Sequence, residues 1–168
     1  KYSFSEKTGF PMIQEFIKGK GVGYFALFYE GNLINSYQHE RIREAPPSGG
    51  VSVCAKTTFI SDLEYFGKRL LTHLEWSGVA MVEFKMLEDG SLRFMEINPK
   101  FWGSHDLGLE SGVNLPLDII TILSKEKIGN SSSDDKNKSE VKFHWPLEGD
   151  IRYMFNNPSR FFAVLQDL

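Results

Sequence analysis

The sequence feature that most constrains the fold of this chain is Asp89-Gly90, which lies between two apolar segments. An Asp-Gly pair is a strong signal for a two-residue β-hairpin, since a type I′ turn needs positive φ angles that glycine adopts without strain. With these two residues as the turn, Glu83 is predicted to pair directly with Glu96. Asn98 lies two residues beyond Glu96, so its side chain is expected on the same face of the sheet.

Glu83 and Glu96 would then be two carboxylates facing each other, which is unfavourable unless a positive charge lies between them. Two carboxylates and an amide oxygen suit a hard divalent cation. Such a small set of protein ligands leaves positions for water and phosphate, as is usual for Mg²⁺. The pattern therefore predicts a Mg²⁺ site formed by Glu83, Glu96 and Asn98. The alternative is that these side chains lie on a solvated outer face and bind nothing.

Composition limits the class of protein. The chain has 168 residues, 41% of them hydrophobic and 14% aromatic, which suffices for one ordinary core in one domain. A net charge of -3 without a cluster of basic residues gives no basis for nucleic-acid binding. No apolar run approaches the ~20 residues of a membrane span, so we expect no membrane partner. The single cysteine, Cys54, excludes an internal disulfide, and the cytoplasm is the expected location.

The remaining pattern predicts a mostly antiparallel sheet with helices beside it, an α+β fold. Strands are predicted at residues 12–16, and at residues 22–29 and 33–39 on either side of Glu30-Gly31-Asn32. Residues 40–57 are predicted to form a loop, because they are polar and contain two consecutive prolines, which cannot lie in a central strand.

Three helices are predicted. Ser61-Asp62-Leu63-Glu64 has the spacing of a capping box and precedes leucines at helical spacing, which predicts a helix that continues to Gly78. Ser104 is predicted to cap a short helix. Pro116 is predicted to open another that runs to Leu123, since proline is tolerated in the first turn.

The chain is predicted to have three parts. Residues 1–124 form the main body, and residues 125–142 form a flexible linker rich in serine, lysine and aspartate. Residues 143–168 form an appended segment too short for a core of its own, which we expect to pack on the body or on sequence outside this chain. The sequence begins with Lys-Tyr-Ser-Phe and stops within an amphipathic pattern, so we also expect a fragment.

Met-Val-Glu-Phe at residues 81–84 and Phe-Met-Glu-Ile-Asn-Pro-Lys at residues 94–100 resemble the C-terminal part of an ATP-grasp domain. The resemblance is to carbamoyl-phosphate synthase and related carboxylate-amine ligases, and it covers roughly residues 11–123. It implies an ATP-grasp C-terminal subdomain in which Glu83, Glu96 and Asn98 hold two Mg²⁺ ions against the phosphates of ATP, with Mn²⁺ as an alternative ion. The implied reaction passes the γ-phosphoryl group to a small carboxylate substrate, and an amine or another nucleophile then attacks the acyl phosphate.

The resemblance also implies other site residues. Gln14-Glu15-Phe16-Ile17 resembles the hinge whose backbone binds adenine, with an ordinary strand as the alternative. Alternation places His39, Arg41 and Arg43 on one face of an extended segment similar to the acceptor-side loop of the family. Arg41, Arg43 and Lys100 are the implied catalytic residues, which would stabilise phosphate or acceptor charge. For the two arginines the alternative is a basic edge strand. Lys100 stands where the family more often has arginine, so bidentate recognition is lost there.

Two other classes of function stay open. One is a nucleotide-binding or regulatory module that keeps the fold without catalysis. The other is an apolar-ligand or protein-interaction domain in which the acidic residues have no role. The sequence predicts neither the carboxylate, the nucleophile nor the oligomeric state. His73, His105 and His144 are assigned no role.

Overall fold

The computed structural model describes residues 13–46, 50–124 and 140–165. Its centre is a six-stranded sheet in which every neighbouring pair of strands is antiparallel. The strands are β1 Lys20–Tyr29, β2 Asn32–Ala45, β3 Val51–Thr57, β4 Gly78–Met86, β5 Leu92–Asn98 and β6 Lys142–His144. Their order across the sheet is β5-β4-β1-β2-β3-β6.

Helices cover both faces of this sheet. They are α1 Ser61–His73, α2 His105–Glu110, α3 Leu115–Leu123, α4 Ile151–Asn156 and α5 Phe161–Leu165. A π-helical turn at Pro146–Asp150 and a 3-10 turn at Pro158–Arg160 join the last elements.

The central strand β1 is buried along residues 21–28, because helices lie on both of its faces. Tyr24 and Phe28 pack with Leu63 of α1 in one core. Phe25 and Leu27 face the opposite way and belong to a second core that includes residues of α3 and Trp102. The two-residue period of the strand thus divides its side chains between two cores.

The hairpin predicted around residues 30–32 is confirmed. Glu30 and Gly31 have φ angles of 49° and 73°, as a type I′ turn requires, and Tyr29 pairs with Asn32. Residues 19–23, with glycine at alternate positions, enter β1 directly, so they are the start of a strand.

The prediction of a loop over residues 40–57 is wrong for residues 40–45 and 51–57. β2 continues to Ala45 and β3 begins at Val51. The charged side chains that suggested a loop are paired within the sheet: Lys20 Nζ lies 2.8 Å from Glu40 Oε1. Ion pairing allows a polar segment to remain a strand.

The strand predicted at residues 12–16 is also wrong where the structure describes it. Residues 13–18 have no regular secondary structure, and the Phe16 side chain is 84% exposed. Ile13 is exposed as well, so this segment buries no apolar face that could hold it in the sheet. Met12 lies outside the described residues.

The predicted helices are confirmed, with differences at their ends. In α1 the N-cap is Ile60, and no side chain caps it, so the capping box is wrong; the helix also ends at His73 rather than Gly78. α2 and α3 begin and end close to the predicted residues. At the start of α3 the Asn114 side chain accepts a hydrogen bond of 3.0 Å from the backbone N–H of Leu117.

The end of the chain contributes to the sheet. β6 begins at Lys142, inside the range predicted as linker, and pairs with β3 so that Cys54 lies opposite His144. Residues 125–139 of that predicted linker lie outside the described residues. In the part of the chain that the structure describes, no helix is long and apolar enough to cross a membrane.

Candidate functional site

The β4-β5 hairpin brings the predicted metal ligands together. Glu83 pairs directly with Glu96, as predicted, and Met81 pairs with Asn98. Because Met81 and Glu83 lie two residues apart on β4, Asn98 lies on the same face as both glutamates.

This pairing arises from a different turn than the predicted one. Gly90 N–H donates to Leu87 O at 3.0 Å and Leu87 N–H donates to Ser91 O at 2.9 Å, while Gly90 has a φ angle of 81°. These bonds define a three-residue loop with glycine in the left-handed region, and not a type I′ turn. The longer loop displaces the register by one residue. A register shift between Glu83 and Phe84 then restores the predicted pairing.

A protein cation already contacts one member of this carboxylate pair, Glu83. Arg41 Nη2 on β2 donates to Glu83 Oε2 on β4, and Arg41 Nη1 donates to Glu44 Oε1 at 2.9 Å. The Arg41 and Glu83 side chains are only 18% and 17% exposed. The guanidinium of Arg41 therefore provides part of the positive charge that would otherwise have to come from a metal ion.

The electrostatic environment of Glu83 favours neutralisation of its charge. Burial raises the pKa of the Glu83 carboxyl above its usual value, Arg41 lowers it, and the facing Glu96 raises it. The net effect is a raised pKa, so the guanidinium of Arg41 does not fully compensate for burial and for the second carboxylate. Additional positive charge at this point would stabilise both carboxylates.

The remaining donor at the site is an amide oxygen. Asn98 Oδ1 is buried and has no hydrogen-bond partner among the described residues. Buried polar atoms are normally paired, and a carbonyl oxygen beside two carboxylates is a donor set that fits a hard cation. Within residues 13–46, 50–124 and 140–165, no group of three or more His, Cys, Asp or Glu forms a metal site. A cation here would need Asn98 and ligands from outside the protein.

Arg43 is placed differently from Arg41. The β2-β3 register shifts between these two residues, so the strict alternation that predicted a common face for His39, Arg41 and Arg43 is broken. Arg43 Nε donates to Asp150 Oδ1 at 2.9 Å.

His39 lies in the interior beside the site. It pairs with Gly23 of β1, is 1% exposed, and its ring centroid lies 4.2 Å from that of Phe25. Neither ring nitrogen has a hydrogen-bond partner among the described residues. Burial, and to a lesser degree the charge of Arg41, lowers the pKa of His39 to about 3, so the ring is neutral.

The structure reveals a polar cluster that sequence reasoning missed. His144 Nδ1 lies 3.1 Å from Asp150 Oδ2 and 3.0 Å from Arg43 Nη2, and His144 Nε2 lies 3.9 Å from Cys54 Sγ. Asp150 is completely buried. The sequence assigns His144 no role, because Arg43 and Cys54 are distant in sequence and meet it only when β6 pairs with β3.

The other predicted site residues lie at the surface. Lys100 follows β5 and is exposed, and residues 14–17 precede β1 in an irregular segment whose side chains are exposed or half-buried. By contrast, His105, to which the sequence assigns no role, begins α2; its ring centroid lies 5.2 Å from that of Phe101, and both ring nitrogens are buried without a hydrogen-bond partner among the described residues.

Several solved structures have a region with a similar fold. A biotin carboxylase complex from Campylobacter jejuni has a TM-score of 0.59 at 13% identity, covering 71% of this chain and 28% of that chain. The ATPase subunit of phosphoribosylaminoimidazole carboxylase from Aquifex aeolicus has a TM-score of 0.58 at 20% identity, covering 72% and 39%. Pyruvate carboxylase from Rhizobium etli has a TM-score of 0.57 at 19% identity, covering 76% and 12%.

These likenesses show the fold. Biotin carboxylase and the carboxylase ATPase subunit are ATP-grasp enzymes, so the predicted class, an α+β ATP-grasp subdomain, is confirmed. No protein-family model and no curated protein sequence matches the chain. The chain spans less than two-fifths of each of these three structures, the largest share being 39%. Similarity at this level of identity carries no information on the reaction.

Proposed function

We propose that this chain is the metal- and nucleotide-binding part of an ATP- and Mg²⁺-dependent ligase. The ligase would activate a small carboxylate as an acyl phosphate for attack by an amine or another nucleophile, as in carbamoyl-phosphate-synthase-like ATP-grasp enzymes. One observation carries the proposal: Glu83 directly faces Glu96, and the buried oxygen of Asn98 lies on the same face without a partner.

Glu83, Glu96 and Asn98 would hold Mg²⁺, with Mn²⁺ as an alternative ion. When bound, the ion would neutralise charge on the phosphates of ATP. A 2-oxoglutarate carboxylase biotin carboxylase domain from Hydrogenobacter thermophilus, with a TM-score of 0.52 to this chain, was solved with the magnesium salt of ADP and with bicarbonate. That complex supports a nucleotide and a small oxyanion such as bicarbonate as ligands of this fold.

Side chains of the protein would orient the substrates. Arg41 is fixed beside the carboxylate pair, and Lys100 extends into solvent at the end of β5, where either can meet phosphate or acceptor oxygens. Residues 14–17 lie outside the sheet, so their backbone groups are not used in a strand ladder, which suits recognition of the adenine edge. Arg43 is bound by the buried Asp150, which favours a structural role over the catalytic one first predicted.

A second function is favoured by one specific contact. Because Arg41 occupies one oxygen of Glu83, the pair is partly neutralised without a metal. This is what a nucleotide-binding or regulatory module without catalysis would show. Formation of ADP separates the two functions, since only the ligase releases it.

The first test is thermal unfolding of the full-length protein with and without Mg²⁺ plus ATP. A ligand that binds only the native state raises the midpoint. We expect a rise in the unmodified protein, its loss in Glu96→Gln, and its retention in Glu88→Gln, which changes an exposed glutamate in the same hairpin. A rise of equal size in Glu96→Gln would overturn the metal assignment.

The second test measures ADP. The full-length protein is incubated with Mg²⁺, ATP, and panels of small carboxylates and amines. We expect ADP formation that depends on one carboxylate and is lost in Glu96→Gln. Binding of ATP without ADP over the whole panel would support the non-catalytic module instead.

A further inference from the structure

We infer that Arg41 acts as a built-in cation at the Glu83–Glu96 pair, so that this site takes one divalent cation where the family resemblance implies two. The inference rests on the proposed function for the identity of the site. It concerns only how many ions these carboxylates bind.

Arg41 already occupies one of the oxygen atoms that could bind a metal ion. Arg41 Nη2 donates to Glu83 Oε2, so one of the two carboxylate oxygens of Glu83 is already in use. The donors left are the other Glu83 oxygen, the Glu96 carboxylate and Asn98 Oδ1. A hard cation that keeps several waters and phosphate oxygens is satisfied by so few protein ligands. A second ion would have to share the remaining oxygens of Glu83 and Glu96 with the first ion or displace the guanidinium from Glu83.

The charges around Arg41 also favour a single divalent cation. Arg41 contacts two carboxylates, those of Glu44 and Glu83, and Glu96 faces the second of them. Among the groups in direct contact, three carboxylates surround one guanidinium, and this local excess of negative charge favours a divalent cation beside Glu83 and Glu96. Lys85 of β4 pairs with Arg93 of β5. Because Lys85 lies two residues from Glu83, its side chain lies on the same face of the sheet as Glu83. These two side chains add positive charge to this face and no further ligands for a second ion.

Arg41 is held in place by the residues around it. A Cβ atom at Gly21 would lie 2.9 Å from Arg41 Cδ, so the absence of a side chain at this position lets Arg41 cross β1. Glu44 Oε1 fixes the other end of the guanidinium at 2.9 Å. Arginine also cannot lose its proton in a protein, so its charge is permanent. Arg41 is therefore a fixed cation and not a mobile surface side chain.

The test counts bound Mn²⁺ per chain by equilibrium dialysis and by its electron paramagnetic resonance signal. It uses the full-length protein with a saturating non-hydrolysable ATP analogue. We expect one Mn²⁺ in the unmodified protein and two in Arg41→Met, which frees Glu83. Arg93→Met is the matched control and should still bind one. Circular dichroism establishes that each variant is folded, and Glu44→Gln, which loosens Arg41 while keeping it, is the second variant if Arg41→Met does not fold.

Each other result has a definite meaning. Two Mn²⁺ in the unmodified protein would overturn the inference and leave the proposed function intact. One Mn²⁺ in both the unmodified protein and folded Arg41→Met would overturn the role of Arg41. No Mn²⁺ in the unmodified protein would overturn the proposed function itself, and the inference with it.

Discussion

Arg41 and Glu83 form an ion pair across a strand that contains neither of them. Arg41 is on β2, Glu83 is on β4, and β1 runs between these strands. The contact is made because β1 has glycine at position 21, where any side chain would collide with the aliphatic part of Arg41. A residue without a side chain therefore helps to determine the electrostatics of the candidate metal site.

The free energy of this ion pair can be measured. Replacing Arg41 by methionine leaves a partly buried carboxylate without its hydrogen-bond donor, and we expect a loss of about 1.5–3 kcal/mol in the free energy of unfolding. Glu83→Gln should cost less in the Arg41→Met background than in the unmodified protein. Urea unfolding of the two single variants and the double variant gives the coupling energy. Strictly additive losses would show that the pair contributes no stability.

Asp150 should be among the most sensitive positions in the protein. Its carboxylate is fully buried, and Arg43 Nη2 lies 2.8 Å from its Oδ1. Asp150→Asn removes the buried carboxylate that pairs with Arg43, and the loss of one partner of a buried ion pair typically costs about 3–5 kcal/mol. Glu140→Gln is the control, because its pair with Lys56 is 3.4 Å long and Glu140 is 67% exposed; its loss should be below about 1 kcal/mol. Equal losses in urea unfolding would contradict a structural role for the buried pair.

His39 should make the fold sensitive to acid. Its pKa in the folded protein is about 3, below the ordinary value of 6.5, so the unfolded chain takes up the proton first. The stability due to neutral His39 is complete above pH 6.5 and is lost as the pH falls towards 3. Linkage gives a loss of about 2 kcal/mol between pH 7 and pH 5.

The measurement for His39 compares unfolding free energies at the two pH values. His39→Leu should lose about 2 kcal/mol less than the unmodified protein over this interval, because it has no ring to protonate. His73→Leu, at the exposed end of α1, should behave like the unmodified protein. An unchanged pH dependence in His39→Leu would show that His39 is accessible to protons in the folded state.

Trp102 connects the segment after Asn98 to the core. Its indole Nε1 donates to the Tyr37 hydroxyl at 2.8 Å, and both side chains are buried. Tyr37→Phe leaves the indole N–H unpaired, so we expect a loss of about 1–3 kcal/mol in the free energy of unfolding. Tyr65→Phe, on an exposed face of α1, should change it by less than about 0.5 kcal/mol. A neutral Tyr37→Phe would mean that another group accepts from Trp102.

The pairing of Glu83 with Glu96 could be predicted from the sequence, although the type of turn that joins their two strands could not. The pattern of Asp89-Gly90 indicated a hairpin, but a two-residue and a three-residue loop share this signal. Their difference of one residue is removed by the register shift between Glu83 and Phe84, where Met95 of β5 has no register partner on β4. The prediction of the pair was confirmed, and the turn predicted to produce it was wrong.

The sequence by itself determined those local elements whose signals are periodic and short-range, whereas the end of β2 and all of β3 were predicted as loop. The continuous apolar run of β1, the Glu30-Gly31 turn and the proline that opens α3 are all encoded within about ten residues. The fold class followed from these elements and from the motifs around Glu83 and Glu96. Only the tertiary structure decided which distant residues meet. Arg43 and Asp150 are 107 positions apart, and they are joined because β6 adds to the edge of β3. Such pairings depend on the order and register of all the strands, which minimise the free energy of the whole chain and are not encoded in any local segment.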